Sequence, residues 1–247
     1  ASSVAVTAGE RARARQAVGE SSKLAPERGS NNWAVAAKAT AQGTPILAGD
    51  PHQPYGSPIR FFVQHINSAD KGGSLDVVGF GFAGTPGVQL GHNRNVAWAA
   101  TTNFADVMDL WEVAAPSGNK LSVGGTDRTV ALRSEKIRVR SVGGKVPTGD
   151  DMSDVREYQI TDVPGVGVLL PDELLPVPRA ILTPQQILFA WTGFAPTHEA
   201  AMYIGLDRSK TLNEWEGAAR RLEVGAVNLI AADQKNIRYR VHAQVPD

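Results

Sequence analysis

The pattern of polar and apolar positions changes character at residue 30. Before it, residues 8–18 (AGERARARQAV) hold good helix formers without an apolar stripe, and residues 20–29 (ESSKLAPERG) form a polar stretch broken by Pro26 and Gly29, as in a linker. After it the chain alternates. Trp33 and Val35 stand between small or polar neighbours, residues 41–43 offer a turn, and Pro45-Ile46-Leu47-Ala48 reads as the returning strand. Residues 49–58 (GDPHQPYGSP) carry Pro51, Pro54 and Pro58 and predict a loop stiff enough to hold a side chain in place. Strand-like runs follow at 59–66, 74–82, 88–90, 96–100 and 110–113.

Residues 116–180 are less regular. Within them 128–140 (RTVALRSEKIRVR) alternate, 143–154 predict a polar loop, and 163–168 (VPGVGV) predict a strand with a bulge or a close backbone approach. The runs 189–192 and 202–206 flank an expected loop that contains His198 and Glu199. One helix is predicted, over 212–223. Thr211 and Glu214 have the spacing at which hydroxyl and carboxylate satisfy free backbone N–H groups at a helix start. Leu212, Trp215, Ala219 and Leu222 form its apolar face, and Gly225 suits its stop. Residues 227–232, a turn at 233–236 and the alternating Ile237, Tyr239 and Val241 predict a hairpin. Mostly strands, with helix late in the chain, make the fold class α+β.

Composition narrows the chemistry. The 247 residues are 42% hydrophobic and 20% charged, enough for a substantial core. Lysine plus arginine equals aspartate plus glutamate, so no net field favours nucleic acid. Cysteine is absent, which removes disulfides, thiolate metal sites and cysteine catalysis. No apolar run approaches the ~20 residues of a membrane-spanning helix. The chain starts at Ala1 without a signal pattern and stops abruptly after a strand-like run, so the expectation is a polypeptide incomplete at both ends. There is no HExxH, no phosphate-binding glycine loop with its lysine, and no GxSxG.

An ordered set of blocks is more specific. Ser30-Asn31-Asn32-Trp33-Ala34-Val35, Gly49-Asp50-Pro51-His52, Pro86-Gly87-Val88-Gln89-Leu90-Gly91-His92-Asn93, Val96-Ala97-Trp98, Asp106-Val107-Met108-Asp109-Leu110 and residues 231–247 resemble the penicillin acylase family in order and spacing. The resemblance covers most of the chain, with 116–180 matching poorly and 1–29 matching only by position. It implies an N-terminal-nucleophile hydrolase with an αββα sandwich, of which this chain is one part. Members cut their own precursor before a serine and hydrolyse N-acylated small molecules such as penicillins, cephalosporins or acyl-homoserine lactones. Residues 1–29 would then be the end of a preceding segment or a spacer, and 30–247 the N-terminal part of the β chain. The implied partners are an acylated amine, the α chain and the rest of the β chain. The implied location is periplasmic or secreted.

Carried over residue by residue, the resemblance makes Gly29-Ser30 the cleaved bond and Ser30 the nucleophile. The freed α-amino group of Ser30 would be its base, with an unperturbed pKa near ~8. His52 stands where some members hydrogen-bond a histidine to the serine; the alternative is a loop histidine satisfied by backbone. Thr102 falls where a backbone N–H serves the oxyanion, and the second donor, an asparagine, falls beyond Asp247. Gln53, Phe82, Ala83 and Ala100 take acyl-pocket positions, and Gln53 and Ala83 replace aromatic walls, which points away from strict phenylacetyl specificity. Asp106, Asp109 and the carbonyls of Met108 and Pro246 match a structural Ca2+ site; the alternative is a solvated acidic turn. His92-Asn93 reads as turn architecture. A second class of function stays open: an unprocessed, non-catalytic relative acting as a binding module.

Overall fold

The computed structural model describes residues 29–53, 59–139, 154–171 and 186–245. The stretch 1–28, residues 54–58 of the loop expected at 49–58, residues 143–153 of the loop expected at 143–154, and Pro246 lie outside the described residues. In chain order the strands are β1 (Ser30–Val35), β2 (Ile46–Pro51), β3 (Phe61–Asn67), β4 (Asp76–Phe82), β5 (Leu90–Asn93), β6 (Ala97–Thr102) and β7 (Met108–Val113). There follow β8 (Lys120–Val123), β9 (Thr126–Thr129), β10 (Ala131–Val139), β11 (Asp154–Val163), β12 (Gly167–Leu169) and β13 (Gln186–Trp191). Helices α1 (Glu199–Arg208) and α2 (Leu212–Ala219) precede β14 (Val227–Ala232) and β15 (Ile237–His242). The described residues form two compact units: those up to Val107 together with those from Thr192 on, which contain Ser30, and those within Met108–Trp191.

The unit containing Ser30 has three layers among its described residues. Its central sheet is antiparallel, in the order β15-β14-β6-β5-β4-β3. On one face lies the β1–β2 hairpin, paired from Ser30–Pro51 to Val35–Ile46. On the other lie α1 and α2, whose Met202, Leu206, Leu212 and Trp215, with Leu222 just after α2, pack with Val77, Val88, Trp98 and Leu229 of the sheet side. The predicted hairpin at 227–241 is present, and the α+β class holds.

Several local expectations change. Strand β2 runs through Gly49, Asp50 and Pro51, residues whose composition predicted loop. The main-chain bond from His52 N–H to the Gly29 carbonyl fixes the alternation, so residue 51 turns its nitrogen away from β1 and proline loses no ladder bond. Trp33 is 51% exposed, while Asn32 and Ala34 face the central sheet. The two sheets meet through small residues: a Cβ placed on Gly49 would stand 2.7 Å from that of Ala99. A tryptophan does not fit between layers that close, so it takes the outer face.

Where a loop was expected around His198 and Glu199, α1 begins. Its polar and apolar positions lack helical periodicity because Met202, Leu206 and Asp207 are all buried. Gly205, a helix-weakening residue, lets α2 approach, since a Cβ there would stand 2.7 Å from that of Ala218. Tertiary packing overrides local propensity here. Helix α2 starts as predicted: Thr211 Oγ1 accepts the Glu214 N–H at 3.2 Å. The Glu214 carboxylate reaches the Lys210 N–H at 2.7 Å, one residue before the cap. The helix stops at Ala219, short of the predicted end, and Leu222 stays buried in the turn that follows. Thr211→Ala should lower the unfolding free energy by about 1 kcal/mol, read from the urea midpoint at unchanged slope.

In the other unit β10-β11-β12-β13-β7 form an antiparallel sheet and β8–β9 a separate hairpin. Val113, Leu121, Val163, Leu169 and Leu188 make its core. The close approach expected at 163–168 is made by β12 against β13, where any side chain on Gly167, the first residue of β12, would collide with the Phe189 carbonyl.

Candidate active site

Ser30 opens β1, and alternation along the strand points its side chain, like that of Asn32, at the central sheet. Asn32 Nδ2 donates to the Asn228 carbonyl at 3.3 Å, pinning the start of β1 to β14. The Ser30 hydroxyl lies 2.6 Å from the Gly29 carbonyl oxygen and donates to it. The same carbonyl accepts the His52 N–H at 3.1 Å. Two donors thus converge on the carbonyl of the expected cleavage bond. A Cβ on Gly29 would come only to 3.6 Å from His52 Nδ1, so space alone does not demand glycine there.

The His52 ring takes the opposite face. Its Nε2 is 3.1 Å from Asp50 Oδ2 and 3.3 Å from Asn31 Nδ2. Its described partners are therefore Asp50 and Asn31, while its main chain is what touches the Ser30 neighbourhood.

Behind Ser30 lies an apolar cavity of about 160 Å³. Ser30, Pro51 and Gln53 line it together with Phe61, Phe82, Leu90, Ala100 and Leu229 from the sheet and Met202, Tyr203 and Leu206 from α1. No lining side chain among the described residues is charged. A dry cavity of about 150 Å³ holds a benzene ring, so this one has room for about six carbons. The rings of Phe61 and Phe82 meet at 4.5 Å between centroids. Of the expected pocket residues, Gln53, Phe82 and Ala100 line the cavity; Ala83 sits exposed in the turn after β4 and does not. Gln53 Oε1 is occupied by Arg60 Nη1 at 2.8 Å.

Thr102 also lines the cavity. Asn103 donates its N–H to the Ala226 carbonyl, so alternation aims the Thr102 N–H away from β14. It points to the side where pairing with β5 has already ended at Gly91–Trp98. Ser30 and this strand end line the same cavity.

Two buried polar groups meet the β4–β5 turn, Gln89 lining the cavity and Asp207 lining a separate cleft. Gln89 is 3% exposed; its Oε1 accepts the Phe82 N–H at 2.7 Å and its Nε2 donates to the Pro86 carbonyl at 2.9 Å. Asp207 is 1% exposed, and both its oxygens face the Val88 N–H, at 3.2 and 3.1 Å. Burial pushes the Asp207 carboxyl up to about 6 from 3.8, against the opposing pull of the Val88 N–H and Arg208. The folded chain therefore binds this proton more tightly than the unfolded chain. The stability this group contributes is present below 3.8 and is lost as pH rises to about 6.

Sequence reasoning passed over Asp207, Phe61, Met202, Leu206 and Leu229. The apolar ones read as core, because a cavity is a gap between elements and leaves no local pattern. The sequence signal for Gln89 was a lone amide inside an apolar run.

Of the expected calcium donors, three lie among the described residues. Asp106 is exposed in the loop before β7, Met108 and Asp109 open β7, and Pro246 lies outside the described residues. Among the described residues no three His, Asp or Glu side chains gather in a way that could hold a metal. Two carboxylates and a carbonyl are hard oxygen donors suited to Ca2+, but supply about half of its usual shell. No described helix is long and apolar enough to cross a membrane.

A family profile described as penicillin amidase matches residues 2–247. Penicillin acylase 2 proenzyme of Pseudomonas sp. (strain SE83) is 33% identical over 234 residues, covering 94% of this chain and 27% of the proenzyme. Acyl-homoserine lactone acylase QuiP of Pseudomonas fluorescens (strain Pf0-1) is 27% identical over 226 residues, covering 88% of this chain and 25% of QuiP. Among solved structures, thermostable penicillin G acylase from Alcaligenes faecalis superposes with a TM-score of 0.65 at 19% identity, over 86% of this chain and 35% of that one. The chain thus spans about a quarter of the length of the curated relatives it matches.

Proposed function

Because the chain belongs to the penicillin amidase family, we propose that it is the nucleophile-bearing part of an acylase that hydrolyses the amide bond of an N-acylated small molecule. The observation that carries this reading is the position of Ser30, at the head of a strand and on the wall of an uncharged apolar cavity. An amide substrate can lay its acyl group in that cavity with its carbonyl at the serine.

Maturation would come first. The Ser30 oxygen attacks the Gly29 carbonyl carbon, the Gly29–Ser30 C–N bond breaks, and water hydrolyses the resulting ester. The products are a Gly29 carboxylate and a free Ser30 amine. The His52 N–H and the Ser30 hydroxyl already polarise that carbonyl. In turnover the free amine takes the hydroxyl proton, directly or through a water, and the oxygen attacks the substrate carbonyl. The Thr102 N–H supports the developing oxyanion. The amine product leaves with the proton, and water then releases the acid. The second oxyanion donor, the α chain and the remainder of the β chain are parts of this proposal, as is a periplasmic or secreted location. Calcium on Asp106, Asp109 and the Met108 and Pro246 carbonyls rests on donor chemistry alone and takes no part in the steps.

A cavity with room for about six carbons favours medium acyl groups over long ones. The test is the mass of the mature nucleophile chain together with hydrolysis of an acetyl, hexanoyl, phenylacetyl and dodecanoyl panel. The expected results are a chain starting at Ser30 and a maximum at hexanoyl or phenylacetyl. Ala100→Phe, which fills the cavity, should raise KM for the hexanoyl amide at least about tenfold and leave the acetyl amide within about twofold. A chain that still starts upstream of Ser30 while turning over substrate would refute the reading.

A further inference from the structure

We propose that Asp207 is a positioning residue that holds the two walls of the cavity at a set separation and so determines which acyl groups enter. The inference takes the identity of the cavity from the acylase reading above, and the rest from side chains that the chemistry does not use.

Asp207 lies near the C-terminal end of α1, the helix that supplies one wall through Met202, Tyr203 and Leu206. Its carboxylate grips the Val88 N–H in the turn between β4 and β5, the segment that leads into the opposite wall. Gly87, beside it, has φ +76, and any Cβ there would collide with Asp207 Oδ2, so the turn is moulded to the carboxylate. Gln89, the next residue after Val88, clasps the Phe82 N–H and the Pro86 carbonyl, and both Gln89 and Phe82 face the cavity. A second tie reinforces the clamp: Asn93 Nδ2 donates to the carbonyls of Asp207 and Ser209.

The chemistry of the group argues for a geometric duty. A buried carboxylate costs far more than a neutral acceptor, and one N–H is a small return for it. Arg208, on its own helix, is the neighbouring charge that acts on it. Arg94, Lys210 and Asp76 line the adjoining cleft with it, Arg94 bonding Asp76 at 2.6 Å. Asparagine is not equivalent. With both oxygens aimed at the same N–H, an amide would set its NH2 against that donor or rotate away, and the turn would move.

The test uses the full-length mature enzyme with Asp207→Asn and Asp207→Leu, assayed on hexanoyl and acetyl amides of one amine. The hexanoyl-to-acetyl ratio of kcat/KM should fall at least about fivefold in the first and tenfold in the second, through KM for hexanoyl, with kcat on acetyl within twofold. A folded variant with an unchanged ratio, or one that loses both substrates equally, overturns the inference; if the leucine variant does not fold, the asparagine variant decides. A second reading needs no turnover. Hexanoate should raise the Tm of the wild type more than acetate does, and the Asn variant should lose that difference. A wild type that hydrolyses neither amide overturns the acylase reading alone. A wild type with no hexanoate shift, or the same shift in the variant, overturns the role of Asp207.

Discussion

Ser30→Ala should leave the full-length precursor in one piece and reduce amide hydrolysis at least about 10^3-fold, because in the proposed mechanism one substitution removes the nucleophile for both steps. Among the described residues no other side chain lining the cavity combines a hydroxyl with an amine that the proposed cleavage would free. Thr101 and Thr102 are mid-chain, and the ring of His52 is engaged by Asp50 and Asn31 on the other face of the hairpin. Intact mass and N-terminal sequencing read the first effect; release of the free amine reads the second. In the wild type kcat/KM should climb with pH through the titration of the Ser30 amine, near ~8 if unperturbed, since only the neutral amine accepts a proton. A Ser30→Ala protein that is cut and active removes Ser30 from the mechanism altogether. His52→Ala keeps the main-chain N–H on the Gly29 carbonyl, so it should slow cleavage far less than Ser30→Ala does.

The second large effect is on stability. Trp98→Ala should cost about 3–5 kcal/mol in chemical denaturation. Trp98 is 1% exposed in the core between the central sheet and the helices, and its Nε1 donates to the Gln89 carbonyl at 3.0 Å. Deletion leaves both a cavity and an unpaired buried carbonyl on Gln89, a residue that lines the cavity beside Ser30. Trp33→Ala is the control: at 51% exposed it should change stability by no more than about 0.5 kcal/mol. Equal losses for the two tryptophans would contradict the layer arrangement described above.

Those two tryptophans also show where sequence patterning reaches its limit. Both lie in blocks that resemble the acylase family, and both alternate with smaller residues. Which one is buried depends on how closely the hairpin approaches the central sheet, a distance set by Gly49 and Ala99, fifty positions apart in the chain. The β14–β15 hairpin and the start of α2 were legible because their signals are local: alternation, a short polar turn and a capping threonine. Helix α1 was not, since nearly every side of it packs against something and its glycine serves a neighbouring helix.

Residue order alone was sufficient to identify the family and the α+β class and to nominate Ser30, because the resembling blocks and the change of pattern at residue 30 are written along the chain. It also excluded cysteine chemistry and a net field for nucleic acid. Folding was needed to aim the Ser30 side chain into a cavity, to turn the His52 ring away from it and to put Asp207 against Val88. Those are relations between segments far apart in sequence. Strand alternation says which way a side chain points, but sheet pairing and helix packing choose what it meets.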